Sequence, residues 1–282
     1  MLGKWIKLLV AMVFCAEAVL AEPVSVRHAE GEKEELIYSL LKLSLSKSAP
    51  DITFEQATEP MNEAQLVSEV EQQRLDIMWA GADQQKDKRL AAVRIPILKG
   101  LLGHRIFIIR DGEQHRFANV TTLAQLQQFS AGQGRFWGDT AVLQNADLPT
   151  VTTIKYANLF PMLEGQRYDY FPRAVHEPFT EIIRHANLKL AVEPGIMLVY
   201  PHAMHFYLHK DNSRLLSLIE KGMQMAIADG SYDAMFFSHP MIKDIFNQAN
   251  LPARHIIHID NPFLHQDTPV NEPQYWLDVS QL

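Results

Sequence analysis

The chain contains a single cysteine, Cys15, so no segment after it can close an intramolecular disulfide or present a thiolate to a metal or a substrate. Cysteine nucleophiles and thiolate metal centres are excluded from the rest of the protein. The spacings that announce common catalytic machinery are missing too: there is no G-x-S-x-G, no H-E-x-x-H and no glycine-rich phosphate loop. A basic surplus is also lacking. Lys and Arg total 26 against 33 Asp and Glu, a formal charge of −7 that argues against nucleic acid as a partner. Beyond the N-terminus no apolar run approaches the roughly 20 residues of a membrane-spanning helix, and there is no low-complexity tract.

The N-terminus itself reads as a secretory leader. Lys4 and Lys7 precede the apolar run Leu8–Phe14, and Ala18-Val19-Leu20-Ala21 places small residues at a cleavage site. Glu17 interrupts the apolar stretch, which argues against an anchor. Bulky Phe14 before Cys15 argues against a lipoprotein signal. The expectation is cleavage after Ala21 and a soluble periplasmic product starting at Glu22. Loss of Lys4, Lys7 and Glu17 takes the formal charge from −7 to −8. The mature chain is long enough to bury an ample core without covalent staples.

What the mature chain does contain is an internal echo. Glu71-Gln72-Gln73-Arg74-Leu75-Asp76 returns as Glu164-Gly165-Gln166-Arg167-Tyr168-Asp169, a shared frame E-x-Q-R-x-D. Each copy closes an amphipathic helical stretch and opens an apolar run, so each predicts a helix-to-strand joint. Around the first copy, Val24–His28 and Ile52–Ala57 alternate like strands. Leu36, Ile37, Leu40, Leu41 and Leu45 recur at helical spacing between them. Asn62 with Gln65, and Thr122 with Gln125, have the form of capping boxes. Gly132–Thr140 reads as a glycine-rich turn entering a helix near Asp139. Asp211-Asn212 opens a helix ending before Gly230, and the tail from Asn261 is expected to wrap the surface. The β-α-β-α-β order, built twice, predicts an α/β protein of two lobes with a ligand cleft between them.

In this ordered set the chain resembles the type II periplasmic solute-binding proteins, in the branch (family 3) that includes the polar amino acid binders of ABC transporters. The resemblance runs from Val24 to about Phe237. It rests on the element order and on Gln73-Arg-Leu-Asp and Gln166-Arg-Tyr-Asp in the place of the family's G-[KR]-x-D. The loop Gly81–Arg89 and the closing pattern Leu215, Ile219, Met223, Asp229-Gly230-Ser231-Tyr232 also match. The resemblance implies a Venus-flytrap clamp: each lobe a mostly parallel sheet flanked by helices, with two crossing strands as hinge. Residues 22–104 and 204–282 would form one lobe and 105–203 the other. A monomer is expected, working with an ABC permease of the inner membrane or with a membrane sensor, and without a cofactor.

The resemblance also nominates site residues. The loop after the first strand offers Glu30 and Gly31. The loop after the first joint offers a backbone group at Gly81, Asp83 where the family often has a hydroxyl, and Arg89 as a fork for a carboxylate. Gly132–Thr140 suggests anion-binding N–H groups, with Trp137 as a stacking wall and Asp139 or Thr140 as helix cap. Arg173 stands where the amino acid binders place an acid for the ligand's ammonium. This reversed charge suggests a ligand with an anionic or carbonyl group, and Glu177 lies one helical turn away. The implied function is capture of a small anionic or zwitterionic, amino-acid-like or carboxylate solute for transport or sensing. Each assignment has a plainer reading. Glu30 begins an acidic run, Lys86–Arg89 has the form of a solvated charge run, and Arg173 can simply pair with Glu177. Two other functions are open to this sequence: a dehydratase-like cleft enzyme using Glu177 or Glu193 as general acid, and metal binding by His202, His205 and His209. In a strand those three histidines point to different faces.

Overall fold

A computed structural model describes residues 23–278; the expected leader, Cys15 and the cleavage site lie outside the described residues. In chain order the strands are β1 (Val24–Val26), β2 (Phe54–Gln56), β3 (Met78–Gly81), β4 (Ala91–Ala92), β5 (His104–Arg110), β6 (Ala131–Gly134), β7 (Thr150–Thr153), β8 (Phe171–Ala174), β9 (Leu190–Val192), β10 (Ile196–Val199), β11 (Met204–Leu208) and β12 (His255–His258). The helices are α1 (Glu32–Ser48), α2 (Glu63–Glu71), α3 (Gln84–Arg89), α4 (Gln114–Phe117), α5 (Leu123–Leu126), α6 (Thr140–Asn145), α7 (Leu159–Glu164), α8 (Pro178–Arg184), α9 (Ser213–Ala228), α10 (Ser231–Ser238) and α11 (Pro240–Gln248). Among the described residues no helix is long and apolar enough to cross a membrane.

The chain folds as two α/β units. In the first, β1 and β2 run parallel, and a parallel bridge from Val26 to Ile77 links them to the segment entering β3. The returning strand β11 then pairs antiparallel with β3 and β4. The second unit repeats the opening: β6 and β7 run parallel, and Ala131 bridges Tyr170 ahead of β8. There β8 and β9 join β5 antiparallel. Parallel pairing thus follows the β-α-β segments, and the returning strands add antiparallel edges. Strands β5 and β10, which connect the units, pair antiparallel with Leu198 opposite Arg105. All seven residues of β5 are buried, as a strand covered on both faces must be. Within residues 204–282, His255–His258 pairs in parallel with β10, beside the second unit's sheet. Its short apolar core, Ile256-Ile257, is satisfied by any open strand edge, and β10 supplies one.

The E-x-Q-R-x-D echo is a repeated piece of architecture. In the first copy Asp76 accepts hydrogen bonds from the backbone N–H and hydroxyl of Ser25 at 2.8 Å each. In the second, Asp169 does the same for Ser130 at 2.9 Å. Each aspartate ties the start of one strand to the first strand of its unit. Gln73 and Gln166 both hold positive φ, 57° and 59°, as the chain leaves α2 and α7. That left-handed turn explains why the related pattern prefers glycine there. Both expected capping boxes form, at Asn62–Gln65 and Thr122–Gln125.

Two long helices close the first unit. Leu36, Ile37, Leu40, Leu41 and Leu45 of α1 are buried against Leu215, Ile219, Met223 and Ala226 of α9. The backbones approach so closely that a Cβ on Gly222 would lie 2.0 Å from the Ser44 carbonyl oxygen. The tail crosses back over the connecting strands: Asn261 donates to the Pro201 carbonyl and the Trp276 ring covers Gly100.

Candidate functional site

The two units meet where the loop after β3 faces the loop after β6. Gly138 sits against Ala82 and Asp83, and a Cβ on it would lie 2.8 Å from the Ala82 carbonyl oxygen. Beside this contact opens a cavity of about 680 Å³, with α2 and α3 on one side and residues 135–144 on the other; Asn261, Phe263 and Leu264 complete its wall. Of the residues nominated from sequence, Asp83, Arg89, Trp137 and Thr140 line it. Asp139, Arg173, Glu177 and Gly81 are not among its lining residues, and Glu30 and Gly31 lie apart from it.

The lining is built from local capping and from ion pairs. Asp83 caps α3 by accepting from the N–H groups of Gln85 and Lys86, and its carboxylate also meets the Lys86 ammonium. Lys86 is buried between Asp83 and Glu63. Burial disfavours its charge, but the two carboxylates outweigh it and hold its proton more tightly than usual. The run Lys86–Arg89 is therefore not uniformly solvated: Lys86 is interior, while Arg89 is half-exposed in a bidentate pair with Glu71.

Behind the wall lies a buried charge network. Asp139 stands just before α6 but does not cap it; its carboxylate turns inward to Arg105 at 2.7 Å, the Tyr200 hydroxyl at 2.8 Å and Gln133 at 3.1 Å. The capping expectation fails because a buried carboxylate gains more from a guanidinium than from one backbone N–H. Burial raises the Asp139 carboxyl, and Arg105 more than offsets this, keeping it below the ordinary carboxylate range. Thr140 instead donates its hydroxyl proton to the Gly134 carbonyl at 2.7 Å.

Arg173 belongs to the same interior. Its guanidinium grips Glu181 at 2.6–3.0 Å and Glu177 at 3.0 Å, and it lies against the rings of Trp137, Phe171 and Tyr156. Burial raises the Glu177 carboxyl, but Arg173, His176 and Arg105 outweigh it and hold it at about 2; Lys33 of α1 adds to the effect from the facing unit. Glu193 is held by the N–H groups of Gly195 and Ile196, away from the cavity. No cluster of three or more metal-ligating side chains occurs among the described residues. His202 and His205 are buried, while His209 bonds Gln73 at the surface.

Sequence reasoning missed Arg105, Tyr200 and Lys86. Arg105 carried one faint signal, a charge opening an otherwise apolar strand.

No model of a known protein family matches the chain, and no curated protein sequence is significantly similar to it. Solved structures are. The periplasmic VFT2 domain of Bordetella pertussis BvgS is 14% identical, covers 77% of this chain and 92% of its own, and superposes with a TM-score of 0.58. The fold is that of the two-lobed solute-binding proteins. An ancestral arginine-binding protein bound to arginine is 14% identical over 78% of this chain and 99% of that one, with a TM-score of 0.55. An amino acid ABC transporter substrate-binding protein from Streptococcus pneumoniae, bound to L-arginine, is 11% identical over 77% and 92%, with a TM-score of 0.53. Strands β5 and β10 run between the two units, and the cavity beside Gly138 is walled by residues of both.

Proposed function

We propose that the protein captures a small anionic or zwitterionic solute in the periplasm by closing its two lobes, for delivery to a membrane permease or presentation to a membrane sensor. The lobes would divide near residues 104 and 203, with β12 attached to the second. One observation carries this reading: a cavity walled by both units, beside a backbone contact at Gly138 that exists only while the units are together. Closure expels water and strengthens every polar contact inside. The similarity to structures bound to arginine supports a solute of amino-acid or carboxylate type. Catalysis is the weaker reading. Glu177 is held ionised by Arg173, which disfavours it as a general acid, and Glu193 does not line the cavity.

Native mass spectrometry of the exported protein tests this. The expected result is one small molecule per chain, released chemically unchanged, and lost in Gly138→Val because the added side chain holds the lobes apart. Chemical conversion of the released molecule, or full retention in Gly138→Val, would overturn the reading.

A further inference from the structure

One charged side chain lining the cleft has no ion-pair partner among the described residues. Glu63 and Asp83 are both engaged by Lys86, and Arg89 is engaged by Glu71. Arg135 remains: it lines the cavity, is exposed, and makes no ion pair among the described residues. Both lining carboxylates, Glu63 and Asp83, already contact the Lys86 ammonium, whereas Arg135 contacts no acid among the described residues. Next to it, Phe136 leaves 79% of its surface exposed on the cavity side of the loop. With Trp137 and Phe263 on the same cavity wall, Phe136 forms part of a grouped apolar surface, and grouped exposed apolar surface marks a binding site. Half-buried Trp137 and Phe263 add two further aromatic walls, and Gln144 and Asn261 supply amide groups nearby. The volume of about 680 Å³ falls in the middle of the range, roughly 300–1,000 Å³, of clefts that enclose drug-sized molecules. A free amino acid is much smaller and brings an ammonium for which the lining has no unengaged acid.

From this we propose that the solute is a monoanionic carboxylate carrying a flat apolar body, its carboxylate held by Arg135 and its body laid against Phe136, Trp137 and Phe263. The inference rests on the solute-capture reading and narrows it. Arg135 contributes the planar fork a carboxylate requires, and the loop carrying it closes onto the first lobe through Gly138. Phe136 becomes covered only when a ligand is present, so its apolar surface contributes to affinity without constraining the empty fold.

The test is calorimetric titration of the purified mature protein, after exhaustive dialysis, with 3-(2-naphthyl)propionate and with its neutral amide. L-Arginine and L-glutamine form separate arms. Wild type should bind the carboxylate at least tenfold more tightly than the amide. Arg135→Gln should bring that ratio close to one, and Phe136→Ala should weaken both ligands alike by about three- to tenfold. Both side chains are exposed, so neither variant should lose thermal stability. Equal affinity for carboxylate and amide in wild type, or a preference that survives Arg135→Gln, would overturn the proposal. Binding of arginine or glutamine without binding of the carboxylate would leave solute capture standing and refute this ligand class. Silence in every arm would refute both.

Discussion

Replacing Arg173 by alanine should unfold the protein at a markedly lower temperature before it changes anything about ligand binding. The guanidinium is 7% exposed and is the principal counter-charge for two carboxylates. Glu181, 4% exposed, receives three contacts of 2.6–3.0 Å from it, and Glu177 lies 3.0 Å from Nη2. After the substitution Glu181 retains only the Tyr156 hydroxyl, at 2.5 Å, and Glu177 retains the Ala174 N–H at 2.8 Å and Arg105 at 3.8 Å. Removing one partner of a buried ion pair costs about 3–5 kcal/mol, because the remaining charge stays desolvated. At roughly 2–4 °C per kcal/mol for a chain of this size, the midpoint should fall by about 10 °C. Thermal unfolding followed by circular dichroism measures it. Arg173→Met combined with Glu181→Gln should recover at least half of the loss, since both charges then leave together and the tyrosine keeps an acceptor. An Arg173→Ala protein that melts within about 2 °C of wild type yet no longer binds solute would refute this reasoning and return Arg173 to the ligand.

Two further outcomes are expected. Stability should fall as the solution is acidified from about pH 6.5 to about 4. Burial lowers the rings of His104 and His202 to about 4 and that of His205 to about 3, so the unfolded chain takes up these protons first. Each ring should contribute on the order of 1–3 kcal/mol to the loss. A second decline should follow below about 4.5, where the unfolded chain protonates the Glu177 carboxyl while the folded state holds it ionised down to about 2; a melting temperature flat from pH 7 to 4 would contradict the first step. Gly222→Ala should destabilise despite alanine's better helix propensity: the gain is about 1 kcal/mol, whereas a Cβ placed 2.0 Å from the Ser44 carbonyl must push α1 and α9 apart. Overpacking of this kind costs about 1–3 kcal/mol or more, and chemical denaturation would read the net sign.

The parts of this protein legible in its sequence are those whose cause is local. Asn62 and Gln65 form their box because three residues of helix bring them together, and the leucines of α1 share a face because of the helical repeat alone. The twin E-x-Q-R-x-D frames announced two similar joints, since a left-handed residue after a helix and an aspartate before a strand are short-range events. Their serine partners, 51 and 39 residues earlier, could not be read in the same way. The cleft belongs to the other category. Arg173, Asp139 and Lys86 were visible as charges, but whether each would meet solvent, solute or a buried counter-charge depended on which strands became neighbours. Only the tertiary structure placed Arg105 opposite Leu198 and within reach of Asp139, and only it set Glu181 beneath Arg173. A charge finds its partner through space, in a low-dielectric interior whose shape no stretch of ten residues encodes.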